Sequence, residues 1–318
     1  MSLSILFAAT GDIAIPTLRV LASLSSNISL LTSIDKKRGR GMQVSFNPIK
    51  EEAIALGIKN IFQFETLDLA AREQIVAKAN PNFLIAFAYG KFFGPKFLSL
   101  FSMGAINIHP SLLPKYRGAA PLLAAVLNGD RSYGISIQKI FNKLDTGDIL
   151  VAKEYPLNPK YTTSQLTDEA ALNAADLLSQ NFSNILSLYN DAKPQGEVGV
   201  SYSPVVAKEE GLLDFKMSAS KICCKVRAYQ PWPKTYTYYN GKLLFIYDCQ
   251  ESSKDEQFRE SECGEVFAID LDKGIKVKCL SGSIYIKELQ LEGKKRMDFA
   301  TFLNGNKNLL GVKLGGIV

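Results

Sequence analysis

Through about residue 187, short apolar runs rich in β-branched and aromatic residues alternate with longer stretches whose apolar positions recur every three to four residues. The runs are SILFA (4–8), ISLLTSI (28–34), NIFQF (60–64), NFLIAFA (82–88), GAINIH (104–109), YGISIQKI (133–140) and DILVAKEYPL (148–157). Helical patterns lie near 13–24, 48–57, 67–79, 119–129 and 164–189. Strands that are nearly all apolar need cover on both faces, and intervening helices supply it. The expected fold class is therefore α/β, a doubly wound, mostly parallel, Rossmann-like sheet.

The pattern changes at residue 190. NDAKPQGEVGVSYSPVVA (190–207) is rich in Pro, Gly and Ser and has no helical period, so it reads as a linker. It separates a domain of residues 1–189 from one of residues 208–318. The second domain opens with one short helix, SASKICCKVRAY (218–229), entered at Ser218. Strand-like runs follow: KTYTYY (234–239), KLLFIYD (242–248), GEVFAI (264–269), GIKVKCL (274–280) and GSIYIKEL (282–289). Close strands joined by turns such as Asn240-Gly241 and Ser281-Gly282 predict a small antiparallel barrel.

A length of 318 residues suits two domains, and 47% hydrophobic with 21% charged residues sets aside a disordered or fibrous chain. Lys and Arg number 37 against 31 Asp and Glu, and this excess suits a polyanionic partner without requiring one. The five cysteines (Cys223, Cys224, Cys249, Cys263, Cys279) form no CxxC pair and have no histidine near them. No zinc site is expected, and free thiols suit a reducing cytoplasm. The N-terminus lacks the basic start of a secretory signal, and no segment reaches the about 18 uncharged apolar residues of a membrane span.

The chain has one histidine, His109, and it lies in INIHPSLLPKYRG (106–118) two residues after Asn107. Alternate residues of a strand point the same way, and ligands of such sheets bind beyond the carboxyl ends of the strands. Pro110 and Pro114 make the following loop rigid and non-helical. In FNKLDTGDIL, Asp145 and Asp148 flank a Thr-Gly turn. An Asn offers amide donors, a His moves protons, and a carboxylate beside an imidazole favours the charged ring and fixes its orientation. With no candidate Ser or Cys nucleophile, the three suit direct acyl transfer to an amine, in which Asn107 and His109 stabilise an oxyanion and Asp145 assists proton removal. The first strand lacks the three-glycine dinucleotide fingerprint, having only Gly11. DKKRGRG (35–41) reads as a flexible basic loop able to engage phosphates.

NIHPSLLP followed by LDTGD resembles the signature of the folate-dependent formyltransferases. The likeness extends through GRGMQVSFNPIKEEA (39–53), AFAYGKFFGPKFL (86–98), YRGAAPLLAAVLNGD (116–130) and VRAYQPWPKTY (226–236), and it is nearest to the members that formylate methionyl initiator tRNA. It implies that Asn107, His109 and Asp145 catalyse transfer from 10-formyltetrahydrofolate, with no metal. It also implies a folate pocket formed by Ala88, Tyr89, Gly90, Ser111, Leu112, Leu113, Pro114, Leu144, Thr146, Gly147 and Asp148, partly through backbone groups. The tRNA would meet Lys36, Lys37, Arg38 and Arg40 on the basic loop and Lys208, Lys221, Lys225 and Arg227 on an OB-like C-terminal domain. A cytoplasmic monomer is expected. That family usually carries Gly-Thr-Pro or Gly-Ser-Pro after its first strand, where this chain has Ala9-Thr10-Gly11.

Two alternatives remain. One keeps the chemistry but changes the acceptor to glycinamide ribonucleotide, an amino sugar nucleotide or water. The other is a non-catalytic RNA-binding protein on a retired enzyme scaffold. The second domain and the Gly-Arg-Gly loop argue against the first, and the presence of all three chemical residues argues against the second.

Overall fold

A computed structural model describes residues 3–38, 43–45, 47–252 and 261–315. The chain forms two compact units: residues 1–121, 132–156 and 167–204 make the first, and residues 122–131, 157–166 and 205–318 the second.

From the N-terminus come β1 (Ile5–Ala9), α1 (Ile15–Leu24), β2 (Ile28–Thr32), β3 (Lys36–Arg38), β4 (Gln43–Ser45), α2 (Pro48–Ala55), β5 (Asn60–Gln63), α3 (Leu69–Ala79) and β6 (Phe83–Phe87). There follow α4 (Pro95–Leu98), β7 (Ala105–His109), β8 (Arg117–Gly118), α5 (Pro121–Asn128), β9 (Ser132–Lys139), β10 (Ile149–Pro156), α6 (Thr163–Asn181), α7 (Ile185–Asn190) and β11 (Tyr202–Ser203). Seven strands form the main sheet in the order β10-β9-β7-β6-β1-β2-β5. The five from β7 to β5 run parallel, while β9 and β10 add an antiparallel edge. β1, β2 and β6 are buried at every residue, which is why they read as unbroken apolar runs. The order reverses at β1, so the loops after β1 and β6 meet: Thr10 N donates to Ala88 O at 3.2 Å and Thr10 Oγ1 to Tyr89 O at 3.1 Å. The Ala-Thr-Gly departure thus holds the loop after β1 to the one beside it.

Three expectations are corrected here. The basic stretch is a hairpin at its base, not only a loop, because Lys36–Arg38 pairs with Gln43–Ser45. Asn47 anchors its far end, capping α2 through Ile49 N while its amide donates to Thr32 Oγ1 at 2.9 Å. The helix expected over 164–189 is interrupted at Phe182–Asn184, where Asn181 turns its amide back onto Leu177 O at 2.8 Å. The stretch read as a linker is partly built into the first unit: Lys193 exchanges backbone bonds with Ile149, and Tyr202–Ser203 pairs with Arg117–Gly118. A Pro/Gly-rich composition reports the lack of a helix, not the lack of packing.

The second unit contains α8 (Ala219–Ala228), β12 (Thr235–Tyr239), β13 (Lys242–Glu251), β14 (Val266–Asp270), β15 (Gly274–Lys278), β16 (Ser283–Leu291), β17 (Met297–Asp298) and α9 (Phe299–Asn304). Ser218 caps α8 by accepting from Lys221 N at 3.3 Å. The antiparallel order is β12-β13-β16-β15-β14, with Asn240-Gly241 in left-handed conformation at the first hairpin. Residues 311–315 bridge its two edges, since Gly311 N donates to Val266 O, Leu314 N to Gly264 O and Gly315 N to Tyr238 O. Closing both edges leaves less backbone open to stray pairing. The core holds Ile222, Val226, Ile246, Val277 and Ile286, together with Cys223 and Cys249, whose sulfurs lie 3.4 Å apart. Among the described residues, no helix is long and apolar enough to cross a membrane.

Candidate active site

β7 ends at His109, and strand alternation carries Asn107 and His109 on one face. Its antiparallel neighbour β9 sets Gln138 opposite Asn107 and Ser136 opposite His109. Ser136 is fully buried and fixes the loop that leaves β7: its hydroxyl donates to Ser111 O at 2.7 Å and accepts from Leu113 N at 3.1 Å. Ser111 is buried too, its hydroxyl donating to Lys115 O at 2.6 Å. The rigidity expected from the two prolines is therefore reinforced by a serine on the next strand.

Asp145 lies in the loop between β9 and β10, buried and left-handed at φ 52°. The loop is pinched at its neck by Lys139 N donating to Asp148 O at 2.9 Å. One carboxylate oxygen of Asp145 accepts from Gln138 Nε2 at 2.8 Å and Asn107 Nδ2 at 3.3 Å, and the other from Gly118 N at 2.9 Å. His109 Nε2 is 2.9 Å from Tyr116 O. A carbonyl only accepts, so Nε2 carries the hydrogen. In the neutral ring Nδ1 is then bare, and it faces Asp145 Oδ1 at 3.6 Å. The structure thus brings the three expected catalytic residues into one cluster. A proton arriving at Nδ1 would meet a carboxylate already held in place.

The folate candidates divide by how their groups are used. Ala88 and Gly90 are exposed with positive φ, at 52° and 75°, so this corner presents backbone. The Tyr89 ring turns inward and stacks on Phe93 at 5.2 Å between centroids, which leaves its backbone to the loop. Burial pushes its hydroxyl up to about 12, so it stays neutral. Leu112 and Leu144 expose apolar side chains, while Leu113 is buried. Thr146 Oγ1 donates to Lys143 O at 3.1 Å, and Asp148 sits 3.5 Å from the Lys139 ammonium. Pro114 O accepts from Ser201 N at 3.3 Å. Gly147 has no room for a side chain, because a Cβ there would lie 1.7 Å from Lys139 O. Ser111 and Tyr89 therefore shape the site without offering side chains to it. The residues fit a ligand met by backbone groups and exposed leucines.

Several residues of this cluster escape a motif reading. Gln138 could be found, since it sits across from Asn107 once the strands are paired. Tyr116 and Gly118 contribute backbone groups, which carry no sequence signal. Gln195 comes from the supposed linker: its amide donates to Asp145 O at 3.0 Å and Gly147 O at 2.8 Å, and its carbonyl accepts from Arg117 Nη2 at 2.7 Å. Nothing local in the sequence announces it.

Of the candidate tRNA contacts, Lys208 and Lys221 are exposed. Lys225 instead donates its ammonium to Leu212 O at 2.7 Å, and burial holds it below the usual lysine range. Arg227 Nη2 lies 3.3 Å from Cys224 Sγ, inside the same unit. Both are therefore partly committed to internal contacts. Lys36, Lys37 and Arg38 form the first hairpin strand, and Arg40 lies outside the described residues. Among the described residues, no group of three or more His, Cys, Asp or Glu side chains could hold a metal ion.

The fold is that of a formyl transferase. The family pattern described as formyl transferase matches residues 7–215, and the pattern for the formyl transferase C-terminal domain matches residues 206–307. Among curated proteins, the methionyl-tRNA formyltransferase of Ruminiclostridium cellulolyticum is 35% identical over 98% of this chain and 100% of its own. Those of Treponema denticola and Coxiella burnetii are each 34% identical, over 96% and 98% of this chain and 98% of theirs. The chain belongs to the methionyl-tRNA formyltransferase family. Solved structures share the fold at low identity. A sugar 3N-formyl transferase, WlaRD, crystallised with 5-N-formyl-THF, has a TM-score of 0.66 at 18% identity, covering 93% of this chain and 100% of that one. HypX from Aquifex aeolicus in complex with tetrahydrofolic acid has a TM-score of 0.60 at 16% identity, covering 98% of this chain and 48% of that one.

Proposed function

We propose that Asn107, His109 and Asp145 carry out transfer of the formyl group of 10-formyltetrahydrofolate to the α-amino group of methionyl initiator tRNA. The observation that carries the assignment is the buried contact of His109 Nδ1 with Asp145, 3.6 Å apart and flanked by Asn107. The co-substrate supplies an activated carbonyl. One N–H of Asn107 is engaged by Asp145, and its other is left to donate to the carbonyl oxygen as negative charge develops there. His109 spends its Nε2–H on Tyr116 O, so its part is to take the amine's proton at Nδ1. Asp145 then faces an imidazolium, whose proton goes to N10 as the bond from the formyl carbon to N10 breaks and tetrahydrofolate leaves. This moves the oxyanion role expected of His109 largely onto Asn107. Gln138 and Gly118 N keep the Asp145 carboxylate turned toward the ring.

Residues 1–189 would carry this chemistry with residues 193–203 built in beside them, and residues 208–318 would bind the tRNA. The tRNA would be drawn by Lys36, Lys37, Arg38 and Arg40, and by the exposed Lys208 and Lys221, with Lys225 and Arg227 contributing less because of their internal contacts. Folate would rest against the backbone of residues 88–90 and 146–147 and the side chains of Leu112 and Leu144. The protein would act as a cytoplasmic monomer, where charged tRNA is found. The full-length relatives named for methionyl-tRNA favour this acceptor over the glycinamide, sugar or water alternatives, and over a non-catalytic RNA binder.

The test is transfer of labelled formyl from 10-formyltetrahydrofolate to initiator Met-tRNA, with elongator Met-tRNA as control. Labelling of initiator alone is expected. Labelling of neither, with a folate analogue still bound, would remove the acceptor from the proposal. Phosphate contacts release counterions, so log affinity for tRNA should fall with log salt at a slope near −0.7 to −0.9 per contact. Arg40→Ala should reduce that slope by about one contact, whereas an unchanged slope would take Arg40 out of the interface.

A further inference from the structure

We propose that Gln195 is a positioning residue for the proton-accepting pair, holding Asp145 and the 145–147 loop in their working geometry from a segment that carries no catalytic side chain. The inference rests on the site assigned above. Arg117 has only donors, and both its Nε, at 3.1 Å, and its Nη2, at 2.7 Å, reach Gln195 Oε1. The amide orientation is thereby fixed, and Gln195 Nε2 must face the other way. There it meets three acceptors: Asp145 O at 3.0 Å, Gly147 O at 2.8 Å and Gln138 Oε1 at 3.2 Å. Gln138 in turn donates to Asp145 Oδ1 at 2.8 Å. The hydrogen bonds run in one direction, from Arg117 through Gln195 and Gln138 to the carboxylate.

Backbone conformation gives the same answer. Asp145 and Tyr116 are both left-handed, with φ of 52° and 58°, a conformation that a residue with a side chain keeps only where its neighbours over-determine it. Residues 195–203 supply those neighbours. Gln195 holds the Asp145 carbonyl, Ser201 Oγ accepts from Tyr116 N at 2.9 Å, and Ser203 Oγ donates to Tyr116 O at 3.3 Å. Tyr116 O is the group that sets the tautomer of His109, and Asp145 is the group that faces its bare nitrogen. Both sides of the histidine are therefore held by one short stretch, distant in sequence from both.

Gln195→Glu separates the two halves of this role. Its carboxylate can keep the Arg117 pairing, but it cannot donate to the two carbonyls until it is protonated. Gln195→Ala removes both halves. With full-length protein, initiator Met-tRNA and 10-formyltetrahydrofolate, the single-turnover rate per folded molecule should fall about 10- to 100-fold in both variants, as expected for a misplacement near the reacting groups. The KM for tRNA should stay within about twofold, since these residues bear on the chemical step and not on phosphate contacts. As pH falls, the Gln195→Glu rate should rise relative to wild type, because the protonated side chain regains one donor. Rates of both variants within about twofold of wild type, or a Glu-to-wild-type ratio flat across pH, would overturn the proposal. A deficit explained wholly by a smaller folded fraction would do so as well. Asp145→Asn run alongside distinguishes the failures: at wild-type rate it removes the site assignment itself, and if it is inactive while the Gln195 variants are fully active, only the positioning role is lost.

Discussion

His109→Ala should lower the rate of formyl transfer by about 10²–10⁴ while leaving tRNA affinity unchanged. The rate loss follows from the position of Nδ1, the bare nitrogen 3.6 Å from Asp145, where the departing proton has a base and a counter-charge waiting. Alanine removes the base and leaves Asp145 held by Gln138, Asn107 and Gly118 N but unable to take the proton at the same place. Folding should suffer little. The lost bond from Nε2 to Tyr116 O is worth about 1 kcal/mol, and Tyr116 O keeps the Ser203 hydroxyl as a donor at 3.3 Å. Single-turnover transfer, filter binding of tRNA and urea unfolding on the same preparation test all three points. A rate loss below about tenfold would take the proton transfer away from His109, and a parallel loss of tRNA binding would show that the histidine serves the acceptor instead.

Gly147→Ala should be nearly as damaging, for a steric reason. The added Cβ would lie 1.7 Å from the backbone oxygen of Lys139, a contact that no rotamer can relieve because both atoms belong to, or are fixed by, the main chain. Ordinary contact begins at 3.4 Å, so the neck of the loop must open by more than an ångström. That neck is closed by the bond from Lys139 N to Asp148 O, and Gly147 O is one of the acceptors of Gln195. Asp145 stands two residues upstream and would move with it. A displacement of about 1 Å at a reacting group costs on the order of 10²-fold in rate, and overpacking of this kind about 1–3 kcal/mol in stability. Gly196→Ala is the control, because nothing lies within 4 Å of a Cβ built there, and it should be neutral within about 0.5 kcal/mol. A Gly147→Ala protein with wild-type kcat and unfolding midpoint would mean that the loop reaches its working geometry by another route.

Much of this site is legible along the chain because its chemistry is local. Asn107 and His109 end an apolar strand, so their spacing states both their shared face and their place at the strand's carboxyl end. The Thr-Gly turn between Asp145 and Asp148 likewise marks a tight loop before the next strand. What escapes is every contribution made across a long separation or by a backbone group. The motif leaves open which part of Tyr89 faces the pocket, and only the fold puts its ring on Phe93 in the core. Lys225 looks like a free cation on a helix, yet its ammonium is spent on Leu212 O. Gln195, in a stretch whose Pro and Gly suggest only a tether, donates to two carbonyls of the Asp145 loop.

By itself, then, the sequence determined the α/β class, the change of pattern at residue 190 and the three side chains proposed for acyl transfer, since hydrophobic period and turn residues act over a few positions at a time. The tertiary structure decided which nitrogen of His109 holds its hydrogen, what holds Asp145, and that residues 193–203 belong to the first unit. These depend on donors and acceptors brought together from distant segments, such as Arg117 and Gln195, whose pairing no local pattern encodes.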